Sequence, residues 1–287
     1  MGFASVIQIE KFAPNHAANS GEFLDHHTSL GPRPSVRWID EAVAEAAAFV
    51  FWACKIMDER DSRRDLRSYG RRRGRKPSTR QAALLDGLLP DVVLNLSDPP
   101  TAPLGKLFTP AVGEVWLEIG FGGGEHLLWQ AAQHPDIGVI GCEPFQDGVV
   151  KVLRAIEEQK IANVRLHADD ARAVLRWLPE ASIRRAFVLF PDPWPKKRHQ
   201  KRRLVSAATL RELARVMAPG AQLRLATDIG DYARWMLLAV REEGSFAWEP
   251  AAPGDWRLRP ADWPPTRYEQ KALKEGRRCT YFRLRRR

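Results

Sequence analysis

EVWLEIGFGGGEHLLWQAAQHP, residues 114–135, runs from an apolar stretch through four glycines in five positions into helix-forming text. EVWLEIG (114–120) reads as a strand and GEHLLWQAAQHP (124–135) as a helix. Glycines at the turn let backbone approach a ligand closely, and the helix N-terminus behind them offers free N–H groups. The alternation continues outward: strand 137–143, helix 145–160, strand 163–170, short helix 171–177, strand 184–190. A helix at 204–217, a strand at 221–228 and a helix at 231–243 follow, with late strands in FAWEP and CTYFRLR. Strands alternating with helices across short loops predict an α/β fold, a single doubly wound, mostly parallel sheet of the Rossmann-like kind.

The 287-residue chain is 44% hydrophobic and 28% charged, with a net charge of +10. Such a balance points to a polyanionic partner. Three scattered cysteines form neither a disulfide framework nor a metal-ligand spacing. The apolar stretch 42–57 is short for a membrane span and carries Glu45. A cytoplasmic protein with no membrane and no metal is expected, as a monomer or homodimer. Residues 1–58 lack the alternation seen later, and His16, His26 and His27 share no ligand spacing. One Ala-rich helix within 40–57 is the exception. Ten Lys/Arg between Arg60 and Arg80 make 59–82 a self-repelling basic arm. The expected organisation is therefore a largely disordered or misassigned extension (1–58), the arm (59–82) and a catalytic domain (83–287).

Ligands in this fold bind where strands end, and each predicted strand ends near a carboxylate. Glu118 stands in E-x-G-x-G-x-G with Gly120 and Gly122. A carboxylate there repels a pyrophosphate but suits an amino group or sulfonium, although such a turn also serves simple helix–sheet packing. Glu143, nineteen residues past Gly124, suits a ribose diol. Asp169 or Asp170 can meet an adenine amino group; Asp170 is preferred because it directly precedes Ala171, and helix N-capping is the other reading. Asp192 follows the fourth strand, Thr227 and Asp228 the fifth. Together they describe a pocket for adenosylmethionine.

Asp192 lies in LFPDPWPKKRHQKRR (189–203), where prolines forbid helix and inner strand and six of the last eight residues are Lys or Arg. Trp194 either stacks on a base or anchors the loop. Taken together, LEIGFGGGEH, FPDPWPKKRHQKRR, ATD and TRYEQKALKEG closely resemble the bacterial tRNA (guanine-N7-)-methyltransferase family, over about residues 60–287. The resemblance implies a class I methyltransferase that moves a methyl from S-adenosyl-L-methionine to N7 of guanosine 46 in the tRNA variable loop. It implies cofactor contacts at Glu118, Gly120, Gly122, Glu143, Asp170 and Asp192, with Asp192 as the catalytic positioner. Substrate contacts fall on Lys196, Asp228, Thr266, Arg267, Tyr268 and Glu269. Tyr268 stands where Phe is more usual. RNA contacts fall on Arg198, His199, Gln200, Lys201, Arg202 and Arg203.

A nicotinamide dehydrogenase is a rival that leaves the proline loop unexplained. Another RNA methyltransferase, or a non-enzymatic RNA-binding protein on this fold, is the alternative. The family-like text begins almost at Met57, so a start there and a dispensable upstream stretch are expected. The other reading is an appendage packed through Phe49, Phe51 and Trp52.

Overall fold

The computed structural model describes residues 70, 72–98, 100 and 103–287. The readings for 1–58 and for half of 59–82 lie outside these residues. Within them, seven strands form one sheet in the order β3-β2-β1-β4-β5-β7-β6. These are β1 (Glu114–Ile119), β2 (Ile137–Cys142), β3 (Val164–His167), β4 (Ile183–Leu189), β5 (Met217–Thr227), β6 (Phe246–Trp248) and β7 (Thr280–Arg286). Strands β1 to β5 are mutually parallel, while β7 runs antiparallel between β5 and β6. The doubly wound, mostly parallel sheet read from the alternation is thus the one observed. The chain enters through α1 (Thr79–Gly87) and α2 (Leu89–Val92). Helices α3 (Glu125–Gln133), α4 (Gln146–Gln159), α5 (Ala171–Trp177), α6 (Ala207–Val216) and α7 (Gly230–Glu243) make the crossovers, and α8 (Gly254–Arg257) and α9 (Arg267–Lys274) precede β7.

Successive side chains of a strand face opposite ways, and the inner strands carry apolar residues on both faces, as a sheet covered on both sides requires. Leu117 and Ile119 of β1 join a core with Val174, Leu213 and Met236 from α5, α6 and α7. Trp116 faces the other side, beside Phe187, Trp263 and Tyr281. There α3 and α4 bring Leu127, Val152 and Leu153 against Val139 and Leu166. Asn163 ties the turns together, its amide donating to the carbonyls of Ala131, His134 and Ile137 at 2.8–3.0 Å.

Three local departures have physical causes. Helix α1 begins at Thr79, inside the stretch assigned to the arm, because Ser78 and Gln81 form a reciprocal capping box. Strand β5 begins at Met217, not 221. Met217 pairs with Ile183, and the register then shifts so that Arg185 meets Gln222, leaving Pro219 and Gly220 as an exposed bulge. The segment TRYEQKALKEG contains helix α9, whose N-cap Thr266 accepts from the Glu269 N–H at 3.2 Å. The Thr-x-x-Glu spacing is a helix-start signal.

Candidate active site

The carboxyl ends of β1, β2 and β4, with the loop leaving β3, border a cavity of about 400 Å³. Its wall includes Gly120, Gly122, Glu143, Asp170, Asp192, Trp194 and Tyr268. Gly120 and Gly122 take φ values of +78° and +57°, which only glycine adopts without strain. The Gly122 N–H donates to Glu143 Oε2 at 2.7 Å, and the Phe145 N–H donates to Glu143 Oε1 at 2.8 Å. Each carboxylate oxygen keeps a lone pair for a further donor. Burial pushes the Glu143 carboxyl above the usual glutamate range, the two N–H donors pull it back, and the nearby Asp192 charge raises it again. Helix α4 packs tightly against the turn: a Cβ on Gly148 would strike the Gly122 carbonyl.

Asp170 is at once a cavity residue and a helix cap. It lines the cavity and caps α5, accepting from the Arg172 N–H at 2.9 Å and the Arg172 guanidinium at 2.7 Å. Asp169 is held outward by Arg72 at 2.7 Å, a partner in the arm that no local pattern announces. The Arg72 carbonyl also accepts from the Gln146 N–H at 3.0 Å, and Gly70 reaches the cavity wall.

Asp192 is exposed at the rim, and the protein packed around it raises its carboxyl above the usual aspartate range. Trp194 lines the same rim, with His199 edge-on at 5.9 Å and the Arg202 guanidinium 5.0 Å from its ring. It is both a wall of the cavity and an anchor of the loop.

Other expected residues sit elsewhere. Glu118 is 2% exposed and lies behind the wall. Its carboxylate is 2.7 Å from His126 Nδ1, and the Gln130 amide stands 3.0 Å from His126 Nε2. Since the amide donates, the imidazole proton sits on Nδ1 and points at Glu118. Glu269 is likewise interior, accepting from Tyr281 Oη at 2.5 Å and pairing with Arg259 at 3.1 Å. Asp228 pairs with Arg277 at 2.7 Å. Thr266 is spent on its cap. Of the C-terminal group Tyr268 alone reaches the cavity wall; it is 47% exposed, with the Arg267 guanidinium 5.0 Å from its ring.

The basic run forms a 3₁₀ helix, Lys197–Arg202. Lys196, Lys197, Arg198 and Lys201 face solvent, and His199, Gln200 and Arg202 are half-buried. Arg203, grouped by sequence with the RNA contacts, is turned inward at 1% exposure. Its charge is taken up by Asp231 and by the rings of Tyr232 and Trp235, so it does not present a cation to a phosphate.

Among the described residues no group of His, Cys, Asp and Glu stands ready to hold a metal ion, and no helix is long and apolar enough to cross a membrane.

Residues 113–282 match a family model, Methyltransf_4, described as "Putative methyltransferase". The chain is 48% identical over 231 residues to a tRNA (guanine-N(7)-)-methyltransferase of Rhodospirillum rubrum, covering 78% of this chain and 89% of the relative. A protein of the same name from Chelativorans sp. is 47% identical, over 79% and 98% respectively. One from Caulobacter sp. is 51% identical, over 72% and 90%.

Gly122→Ala should cost about 1–2 kcal/mol from the left-handed backbone alone. Its Cβ would also lie 2.9 Å from Tyr268 Cε2. A fall in melting temperature of about 2–8 °C is expected in thermal denaturation.

Proposed function

From the premise that the chain belongs to the tRNA (guanine-N7-)-methyltransferase family, we propose that it methylates N7 of guanosine 46 in the tRNA variable loop with S-adenosyl-L-methionine as donor. The observation that carries this is the convergence of Glu143, Asp170 and Asp192 with the Gly120–Gly122 turn on one cavity. The residues fit the donor. Two carboxylates offer acceptors to a ribose diol and an adenine amino group, and the glycine turn leaves space that a Cβ would fill. When bound, the donor supplies an electrophilic methyl on a cationic sulfur.

With the donor held by Glu143 and Asp170, its methyl would pass to guanine N7 as the bond to sulfur breaks, and positive charge would pass to the purine. Guanine N7 carries a lone pair and no proton, so no side chain has to act as a strong base. The protein's task reduces to alignment, worth up to about 7–11 kcal/mol in ideal cases, and to control of the migrating charge. Asp192 serves both. At the cavity rim its carboxylate accepts from the guanine N1–H or amino group, and its charge faces the cation forming on the ring. Glu143 holds the ribose, Asp170 the adenine. Tyr268 offers an exposed ring to the base, with Arg267 beside it. Glu118, Glu269 and Thr266 act on the site indirectly, through His126, through Tyr281 and Arg259, and through the α9 cap. Lys196, Arg198 and Lys201 grip the phosphates around the target nucleotide, with His199, Gln200 and Arg202 completing that surface. We also propose a catalytic unit over 83–287, extended by α1.

The direct test is methyl transfer to bulk tRNA followed by nucleoside analysis, with a transcript lacking guanosine 46 as the control. Appearance of 7-methylguanosine only when that nucleotide is present is the expected result. Asp192→Ala should lower turnover by about 100-fold or more while the melting temperature holds; activity above a tenth of wild type would remove Asp192 from its role.

Glu143 must be ionised to accept from a diol. Its carboxyl is raised, so acceptor capacity is lost as pH falls through a value above the roughly 4.3 of free glutamate. Adenosylhomocysteine affinity, measured by calorimetry, should therefore weaken on acidification. Glu143→Gln should weaken it about 10- to 100-fold at neutral pH, because the amide turns a donor toward a backbone N–H.

Arg198→Gln and Lys201→Gln should each flatten the salt dependence of tRNA binding by about 0.7–0.9 log units per lost phosphate contact. Adenosylhomocysteine affinity should not move. An unchanged slope would mean that these cations are merely solvated.

A further inference from the structure

The proline loop has few ways to be held. Of residues 190–195, three are prolines without an N–H, so carbonyl oxygens must carry much of the tethering. The backbone is nonetheless in an unfavourable state: Phe190 and Trp194, both bulky, have φ values of 52° and 42°. Strained residues of this kind persist only where the surrounding structure over-determines them. Two bonds do so. The Phe190 N–H donates to the Ala226 carbonyl at 2.8 Å, pinning the loop's start to β5. The Pro193 carbonyl accepts from Arg203 Nε at 2.8 Å, pinning its centre.

Arg203 is itself immobilised. Its guanidinium carbon lies 4.9 Å from the Tyr232 ring and 5.0 Å from the Trp235 ring, and Nη2 pairs with Asp231. All three partners belong to α7. The same helix fixes the next turn of chain: the Val205 N–H donates to Tyr232 Oη at 3.2 Å, and Trp235 Nε1–H donates to the Val205 carbonyl at 2.7 Å. Meanwhile the Arg203 N–H closes the basic 3₁₀ helix on the Gln200 carbonyl at 2.9 Å. One residue thus ends the cationic helix, is clasped by α7, and holds the carbonyl next in the chain to Asp192.

We propose that Arg203 is a positioning residue for methyl transfer: it sets the placement of Asp192 through the Pro193 carbonyl and makes no contact with RNA. This rests on the reading of Asp192 given above. A guanidinium is required because its rigid fork donates in two directions at once while its plane stacks on rings. An ammonium retains the charge but not that geometry.

The test compares full-length Arg203→Lys and Asp231→Asn with wild type and with Asp192→Ala, using methyl transfer to bulk tRNA. Asp231 is mostly exposed, so its loss spares the fold and loosens one side of the clasp. Arg203→Lys is expected to lower kcat on the order of 10- to 100-fold, the scale of a misplacement of about 1 Å. Asp231→Asn should lower it less, in the same direction. In both, the KM for tRNA and the salt slope should stay within about twofold of wild type, unlike Arg198→Gln and Lys201→Gln. A raised KM with a flattened salt slope and intact kcat would make Arg203 an RNA contact and overturn the proposal. So would wild-type kcat in both variants. If Arg203→Lys does not fold, Asp231→Asn decides by the same criteria. Full activity in Asp192→Ala would remove the underlying reading; loss there with wild-type kcat in the other two overturns the role of Arg203 alone.

Discussion

Two backbone N–H groups, from Gly122 and Phe145, converge on the Glu143 carboxylate. This pair of hydrogen bonds joins the turn after β1 to the turn after β2, and most of the site is arranged around it. The turn needs Gly122 in the left-handed region so that its N–H points across the strands. Helix α4 packs so closely beneath that Gly148 tolerates no side chain against the Gly122 carbonyl. A carboxylate that is largely buried resists ionisation, and the two donors offset part of that cost. The same carboxylate retains acceptor capacity toward the cavity, so one group both builds the wall and serves whatever binds there.

The opposite wall depends on a different economy of hydrogen bonds. Prolines remove the N–H donors that would tie a loop to a sheet, leaving a carbonyl as the tether and a buried guanidinium as its partner. Burying that cation is tolerable because Asp231 and two aromatic rings surround it. The run of cations is therefore divided. Arg198 and Lys201 remain in water, where charge attracts phosphate over a distance, while Arg203 is withdrawn to stiffen the loop. A charge count of the run cannot distinguish these two uses.

Several features were legible before any coordinates. The strand and helix periods, the glycine turn, the strand-end carboxylates of Glu143, Asp170 and Asp192, and the proline loop all appear where local pattern places them. Local chemistry also marks α9 and the start of α1, through Thr266–Glu269 and Ser78–Gln81, although a reading by periodicity passes over such short signals. The bulge at Pro219–Gly220 was hidden because it exists only in the pairing of β5 with β4. Position before Ala171 favours Asp170 over Asp169, but what holds Asp169 away is hidden from local pattern: Arg72, nearly a hundred positions earlier, draws it outward.

What the sequence determined by itself was the order of elements, the turn chemistry and the set of carboxylates available at the sheet's carboxyl edge, because these follow from backbone periodicity and from residue types acting on near neighbours. Only the tertiary structure decided which polar side chains face the cavity. Glu118 turns to His126, Glu269 to Tyr281 and Arg203 to α7. Each choice is set by a partner brought alongside when the sheet assembles. A buried charge takes the nearest adequate partner, and which partner is nearest is a property of the fold.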